Sequence, residues 1–378
     1  MRVLVAFDKF KDALSAQDAC RVASGAIEEA HPDWDIDLCP LTDGGDGFCR
    51  TLTEAVGGRL RSETVTGPRG DKIAASIGFV DAAQLNARTR AALALNPEKN
   101  LAVVEMASAS GLTQLSLEQR NPWFTTSTGT GELLRIAARE ADAIVLGIGG
   151  SATIDLGFGA LRALGFTFRD ESGEAIAIPS PSTWKRIVGI EGRATLPPIY
   201  IACDVTIPLL GPNGAVSTFG AQKGLHPDEA QDFEIQMQRM ATMLADSCGL
   251  SHSTMEMPGA GAAGGIGFGL MAVSSAKLVS GYDLVADWLN LQTRISRADL
   301  ILTGEGRYDR TSLSGKAPGR LATVARGLGK STLVFAGQLE MLPDAKHYVI
   351  TPREMSLKDA LPRTAELLRR SVLSTLPP

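Results

Sequence analysis

Residues Ile144–Gly165 read IVLGIGGSATIDLGFGALRALG. Ile144–Ile148 is an apolar run of strand length. Gly149, Gly150, Ser151 and Thr153 then make a turn of small residues, and Gly157–Leu164 has helical content with Leu161 and Leu164 three apart. Strand, small-residue turn and helix in succession form the βα unit of an α/β protein, which presents backbone N–H groups to an anion at the helix start. The hydroxyls of Ser151 and Thr153 and the carboxylate of Asp155 suit a phosphate and a metal ion better than an apolar ligand. A tight βα turn that binds nothing is the competing reading, because Gly-rich turns of this kind are common.

The pattern extends to both chain ends. Arg2–Phe7 reads as a strand with Asp8 at its carboxyl end. Ser15–Asp18 is a capping box, followed by a helical apolar face of Ala19, Val22, Ala23, Ala26 and Ile27. Pro32 follows the helix, and Ile36, Leu38 and Leu41 supply a second strand. Asp8, Lys9 and Lys11 then sit beyond strand ends, where open α/β sheets bind ligands; solvated loop lysines are the alternative. In Asp43-Gly44-Gly45-Asp46-Gly47 the glycines allow both carboxylates to turn toward one Mg²⁺, with a plain Asp/Gly turn as competitor.

The middle of the chain is more mixed. Ile73, Ala75, Ile77 and Phe79 alternate as in a half-buried hairpin, and Leu101–Glu105 is another strand. The hydroxyl-rich loop Thr125–Gly131 caps a helix expected over Glu132–Ala141, or binds phosphate. Ile199–Ala202 is a strand leading to Asp204. A loop over Pro208–Gly224 carries Lys223, a helix covers Pro227–Cys248, and a Gly-rich loop covers Gly259–Gly269. In the last αβ unit a strand over Asp299–Thr303 precedes Glu305, Arg307 and Asp309, and Lys316 precedes a helix over Gly319–Leu328. Strands at Thr332–Ala336 and Tyr348–Ile350 and a helix over Leu357–Leu376 complete the chain. Glu305 and Asp309 are further magnesium candidates. Arg307 and Lys316 are phosphoryl clamps or members of a surface ion-pair cluster.

Composition narrows the classes. The 378 residues, 44% hydrophobic and 21% charged, suffice for two globular domains. A net charge of −5 without a basic run, and 5% aromatics, argue against a nucleic-acid partner. Five cysteines without a Cys-x-x-Cys pair predict reduced thiols in a cytoplasmic protein. No signal segment is expected, since few apolar residues follow Arg2. The uncharged stretch Met257–Ala276 begins with Gly and Ala, so it reads as a loop entering a buried helix rather than a membrane span. Gly329-Lys330-Ser331-Thr332 mimics the end of a P-loop, but Val324 stands where glycine is required and the segment precedes a strand. Gly147-x-Gly149-x-x-Ala152 matches a dinucleotide fingerprint, with Asp170 placed as the ribose-binding acid. An NAD-dependent oxidoreductase of a small hydroxy acid is therefore the alternative function.

The motifs in series resemble the bacterial glycerate kinase family. They are AFDKFKDALSA (Ala6–Ala16), PLTDGGDG (Pro40–Gly47), EMASASGL (Glu105–Leu112), TSTGTGEL (Thr126–Leu133), GIGGSATIDLGFG (Gly147–Gly159), ACDVTIPLLGPNGAVSTFGAQKG (Ala202–Gly224), GAGAAGGIG (Gly259–Gly267) and TGEGRYDRTSLSGKAP (Thr303–Pro318). They run in order along nearly the whole chain. The family usually has Ser where Lys9 stands, Gly at Asp12, Ser or Thr at Ala13, Glu at Asp46, Asn at Ile154, Gly at Leu156 and Gln at Thr311.

The resemblance implies two α/β domains: an outer three-layer Rossmann-like domain from residues 1–57 and 282–378, with a second α/β domain, 58–281, inserted and the active site in the cleft between them. It also implies a cytoplasmic kinase that uses ATP and Mg²⁺ to phosphorylate D-glycerate at the 2-hydroxyl, giving 2-phospho-D-glycerate. Asp204, then Asp8, would be the base, with Lys11 and Lys316 also catalytic. Asp43, Asp46, Glu305 and Asp309 would hold the metal. Gly149, Gly150, Ser151, Lys223, Gly261, Gly264, Gly265 and Arg307 would bind substrate or phosphate. No nucleic-acid or membrane partner is implied, and the sequence leaves monomer and homo-oligomer both open.

Overall fold

The structure is a computed structural model and describes residues 1–309, 312, 316–340 and 346–377. The chain forms two compact units, residues 1–43 with 282–378 and residues 44–281. β1 (Arg2–Phe7), α1 (Ala16–Ala30) and β2 (Asp35–Leu38) open the first unit. The second runs through α2 (Phe48–Ala55), β3 (Arg59–Thr66), β4 (Lys72–Asp81), α3 (Ala87–Ala92), β5 (Asn100–Glu105), α4 (Met106–Ser110), α5 (Thr128–Glu140), β6 (Ala143–Gly147) and α6 (Phe158–Ala163). It continues through β7 (Thr167–Arg169), β8 (Gly189–Glu191), β9 (Ile199–Ala202), α7 (Ala215–Phe219), α8 (Ala230–Cys248), α9 (Ile266–Val273) and β10 (Lys277–Val279). α10 (Gly281–Trp288), α11 (Leu291–Arg297), β11 (Leu300–Tyr308), α12 (Ala317–Gly327), β12 (Ser331–Leu339), β13 (Lys346–Val349), α13 (Leu357–Ala360) and α14 (Thr364–Thr375) return the chain to the first unit.

The first unit is a parallel sheet in the order β13-β12-β11-β1-β2. β1 is apolar from Val3 to Phe7 and buried throughout, as a central parallel strand must be. Side chains alternate along β12. Leu333 and Phe335 join Val3, Val5 and Phe7 in a core with α1 and α14, whereas Val334 and Ala336 face Ala322 of α12. Helices therefore cover both faces in three layers. α1 starts where the capping box places it, with Ser15 accepting from the Asp18 N–H.

The second unit is a mixed sheet in the order β10-β9-β6-β5-β4-β3, antiparallel at β3–β4 and β4–β5 and parallel elsewhere. The alternating residues of β4 form the expected hairpin with β3. α2 packs on β4 and β5, and Glu105 accepts from the Cys49 N–H in its first turn. The segment from Gly44 to α2, which the sequence grouped with the N-terminal part, thus belongs by its contacts to this unit.

Several boundaries move. β11 continues to Tyr308, with Arg307 opposite Gln338 of β12, so Glu305 and Arg307 lie on a strand rather than beyond it. α5 begins at Thr128 because Thr128–Gly131 form its first turn. Pro362 lies in a 3₁₀ turn that separates α13 from α14. Two positions where the family resemblance expects glycine, Asp12 and Leu156, have φ of +62° and +57°. A side chain is costly in that left-handed region, less so for Asp than for Leu. No helix among the described residues is long and apolar enough to cross a membrane. In the stretch Met257–Ala276 only α9 and a preceding 3₁₀ turn are helical.

Lys330 illustrates a motif put to another use. Its ammonium donates to the carbonyls of Ser296 and Ala298 at 2.6 and 2.9 Å, closing the end of α11. Lys330→Met is expected to lower stability by about 2 kcal/mol, the net worth of a charge-assisted hydrogen bond, while leaving catalysis near wild type. Urea denaturation beside a steady-state assay reads both. A crippled enzyme of unchanged stability would give Lys330 a role in phosphate binding.

Candidate active site

In the first unit, carboxylates and lysines gather at the carboxyl ends of β1 and β11. Asp8 follows β1 and is 2% exposed. Lys9 Nζ lies 2.9 Å from Asp43 Oδ1 and 3.7 Å from Asp8 Oδ1, and the Lys9 N–H donates to Asp8 Oδ1 at 2.7 Å. Burial drives the Asp8 pKa up to about 7; Lys9 pulls against this, and the negative charges of Asp43 and Glu305 add to it. Glu305 on β11 is also buried, which raises its pKa, while Lys316 and the Ser312 hydroxyl pull it back. Lys316 Nζ meets Glu305 Oε2 at 2.9 Å and the Arg307 carbonyl at 3.4 Å. Glu305 Oε1 is buried without a hydrogen bond of normal geometry among the described residues.

The other candidates of this unit lie further out. Arg307 is exposed and pairs with Asp309 at 3.2 Å and Glu340 at 3.6 Å, the surface ion-pair alternative. Lys11 is exposed in the turn after β1. Among the described residues no three His, Cys, Asp or Glu side chains converge on a metal position. Arg310, Thr311, Leu313, Ser314 and Gly315 of the last motif lie outside the described residues.

In the second unit two glycine loops pack backbone to backbone. The Gly149 N–H donates to the Gly44 carbonyl at 3.0 Å, and a Cβ on Gly149 would lie 2.8 Å from the Gly45 Cα. Only glycine permits this approach. Gly149 therefore gives no N–H to a ligand, contrary to the sequence expectation. Leu112 N–H to Gly150 O and Ala152 N–H to Ser110 O, at 2.9 and 2.8 Å, clamp the loop from its other side. The N–H groups of Gly150 and Ser151 have no backbone acceptor among the described residues. Asp46 Oδ1 meets the Thr113 hydroxyl at 3.2 Å, so the two carboxylates of the Asp43–Gly47 segment have separate partners.

Asp155 and Lys223 are buried where the sequence suggested ligand contacts. Asp155 accepts from the Ser127 N–H (2.8 Å), the Ser127 hydroxyl (2.7 Å) and the N–H groups of Gly157 and Gly159 (both 3.2 Å). The start of α6 is thus occupied by the chain's own carboxylate rather than open to phosphate. Burial raises the Asp155 pKa against these donors. Asp155→Ala strands several buried donors and is expected to cost about 3–5 kcal/mol in chemical denaturation; a loss below about 1 kcal/mol would contradict this capping role. Lys223 Nζ donates to Ser151 Oγ and the Thr153 carbonyl, both at 2.8 Å. Burial lowers its pKa to about 7, opposed by the charge of Asp155.

Gly261, Gly264 and Gly265, expected to donate to a ligand, are buried instead. A Cβ on Gly261 would lie 2.1 Å from the Pro208 carbonyl, and one on Gly264 2.2 Å from the Thr153 carbonyl. Close backbone packing explains Gly261 and Gly264, and at Gly265 a φ of +86° with the Leu209 and Leu156 side chains against it does the same. Asp204 follows β9 and accepts from the Ser280 hydroxyl at 3.2 Å, beside a cavity of about 320 Å³ lined by Cys203, Thr206, Leu278 and Ser280. The sequence did not single out Glu105 or Ser280, whose roles arise only from neighbours distant in the chain.

The dinucleotide reading finds no footing. After Gly147 the helix starts only at Phe158, and its first turn is closed by Asp155. Asp170 is held by Ser172 and Arg186, which lower its pKa to about 2. It follows β7, which pairs with β8 in a separate sheet rather than beside β6.

Comparison with known proteins agrees with the ordered motifs. The glycerate kinase family model matches residues 3–376. A glycerate kinase of Bacillus subtilis (strain 168) is 34% identical, over 98% of this chain and 96% of that protein. A glycerate 2-kinase of Escherichia coli (strain K12) is 37% identical, over 90% of this chain and 86% of that protein. A crystal structure from Salmonella typhimurium LT2, named as a candidate glycerate kinase 2, superposes with a TM-score of 0.77 at 34% identity, covering 99% of this chain and 96% of that one. On a match that spans almost every residue, the chain belongs to the glycerate kinase family and is an enzyme of the kinase class.

Proposed function

We propose that this kinase transfers the γ-phosphoryl group of ATP to the 2-hydroxyl of D-glycerate, giving 2-phospho-D-glycerate. The observation that carries the choice of position is the 37% identity to a protein named glycerate 2-kinase. In such a transfer the protein mainly positions the reactants and neutralises charge. Asp8 is the better placed base: it is a buried carboxylate at the carboxyl end of β1, grouped with Lys9 and Asp43, and burial favours its protonated form, which suits a group that takes a proton from an alcohol. Asp204, first on sequence grounds, is the second choice.

Asp43 and Glu305 fit a Mg²⁺ ion, directly or through water. Glu305 Oε1 is buried without a hydrogen bond of normal geometry among the described residues, and Mg²⁺ commonly takes only one or two carboxylates together with phosphates. When bound, the ion spreads the negative charge of the phosphoryl oxygens. Asp46 and Asp309, engaged by Thr113 and Arg307, are the second-choice metal candidates. Lys11, Arg307 and Lys316 suit the phosphates or the glycerate carboxylate, and the N–H groups of Gly150 and Ser151 an anionic oxygen. A cytoplasmic location belongs to the same proposal, supported by five cysteines that are all free thiols.

The test incubates the protein with D-glycerate, ATP and Mg²⁺, follows ADP, and identifies the product by ³¹P NMR. Glycerate-dependent ADP with a 2-phospho product is expected. ADP formation that ignores glycerate, or a 3-phospho product, defeats the corresponding part of the proposal.

A further inference from the structure

Lys223 is the most deeply buried cation of the second unit, 2% exposed. It ends a 3₁₀ turn, Ala221–Lys223, closed by Gly224 at φ +87°. A Cβ on Gly224 would lie 2.1 Å from the Arg120 carbonyl, so the turn is pinned and the lysine stem has one course. The ammonium lies 5.6 Å from the Phe219 ring centre and reaches the Gly149–Thr153 loop from behind. Direct contact with a phosphate, as expected from the sequence, does not suit so enclosed a group.

An ammonium has three donors and no acceptor. With Lys223 protonated, Ser151 Oγ accepts from it, and the hydroxyl proton then points elsewhere. Among the described residues no acceptor takes that proton. The neighbouring N–H groups of Gly150 and Ser151 likewise have no backbone acceptor there, and Gly150 is exposed. Three donors thus stand together on two residues whose backbone is clamped by the bonds to Ser110 and Leu112. Donors so fixed favour an oxygen that only accepts.

We propose that Lys223 is a positioning residue that fixes the Ser151 hydroxyl as a donor toward an anionic oxygen of the reactants, either the glycerate carboxylate or a nucleotide phosphate. The inference rests on the kinase reading above and deepens it. It separates Lys223, which acts through another residue, from Ser151, which touches the ligand.

The test measures binding of D-glycerate, and separately of ATP with Mg²⁺, by calorimetry for wild type, Ser151→Ala, Lys223→Met and the double variant. Each single change is expected to weaken one of the two ligands about tenfold and leave the other within about twofold, which identifies the oxygen's source. The double variant is expected to lose no more than about twofold beyond the weaker single, because Lys223 works through Ser151. In steady state the loss is expected mainly in the KM of that one substrate rather than in kcat. Independent losses that multiply to about a hundredfold, or equal weakening of both ligands, overturn the inference. Should Lys223→Met not fold, Ser151→Ala alone decides, since unchanged binding of both ligands removes the donor from the site. A wild type without glycerate-dependent ADP formation defeats the functional reading instead, so the two failures are distinguishable.

Discussion

Asp8→Asn is expected to lower kcat/KM by about 10²–10⁴-fold, the range for loss of a general base, with the fold retained. The amide keeps the shape of the group and can still accept the 2.7 Å bond from the Lys9 N–H, but it cannot take a proton from the hydroxyl. Asp204→Asn is the companion. If Asp204→Asn is crippled and Asp8→Asn is not, the base is Asp204 and the proposed order is reversed. The pH dependence of stability gives a second readout, made in metal-free buffer. The Asp8 pKa is about 7 in the folded chain against an ordinary 3.8. Between those values the folded state keeps a proton that the unfolded state has lost, so this group makes stability fall as pH rises from about 4 to 7 and contributes no slope above. Asp8→Asn is expected to flatten that part of the urea-denaturation profile; an unchanged slope would show that Asp8 is not the group responsible.

Lys316→Met is expected to reduce kcat/KM by about two powers of ten, roughly 3 kcal/mol of transition-state stabilisation. Lys316 caps the entry to α12, where helix N–H groups already favour an anion. Its ammonium is a mobile point charge able to follow a phosphoryl oxygen. The structure adds a cost that the sequence did not foresee. Lys316 partners buried Glu305 at 2.9 Å, so its removal leaves a carboxylate in a poorly solvated place and raises the Glu305 pKa further. Stability should therefore fall as well, and Lys316→Arg should recover stability more fully than rate, because a guanidinium pairs with Glu305 but is larger and planar. Denaturation midpoints beside kinetics separate the two effects. If Lys316→Met keeps its rate and loses only stability, the lysine is a structural partner of Glu305.

The sequence by itself determined the α/β class, most strands and the order of the motifs, because these rest on local periodicity. Arg2–Phe7 is apolar at nearly every position and becomes a central parallel strand; Ser15 and Asp18 cap α1; alternation over Ile73–Phe79 becomes a hairpin. It also determined the family, since eight motifs in order constrain identity more tightly than any one fixes a contact. Only the tertiary structure decided what the polar residues of those motifs touch. Asp155 and a ligand-binding aspartate look alike in a chain of letters. They differ in whether Ser127, far away in sequence, fills the carboxylate. Gly264 and a phosphate-binding glycine look alike too, until the Thr153 carbonyl is found against it. Lys223 makes the same point: its burial and its bonds to Ser151 and Thr153 are set by segments distant in sequence, and local spacing carries no record of them.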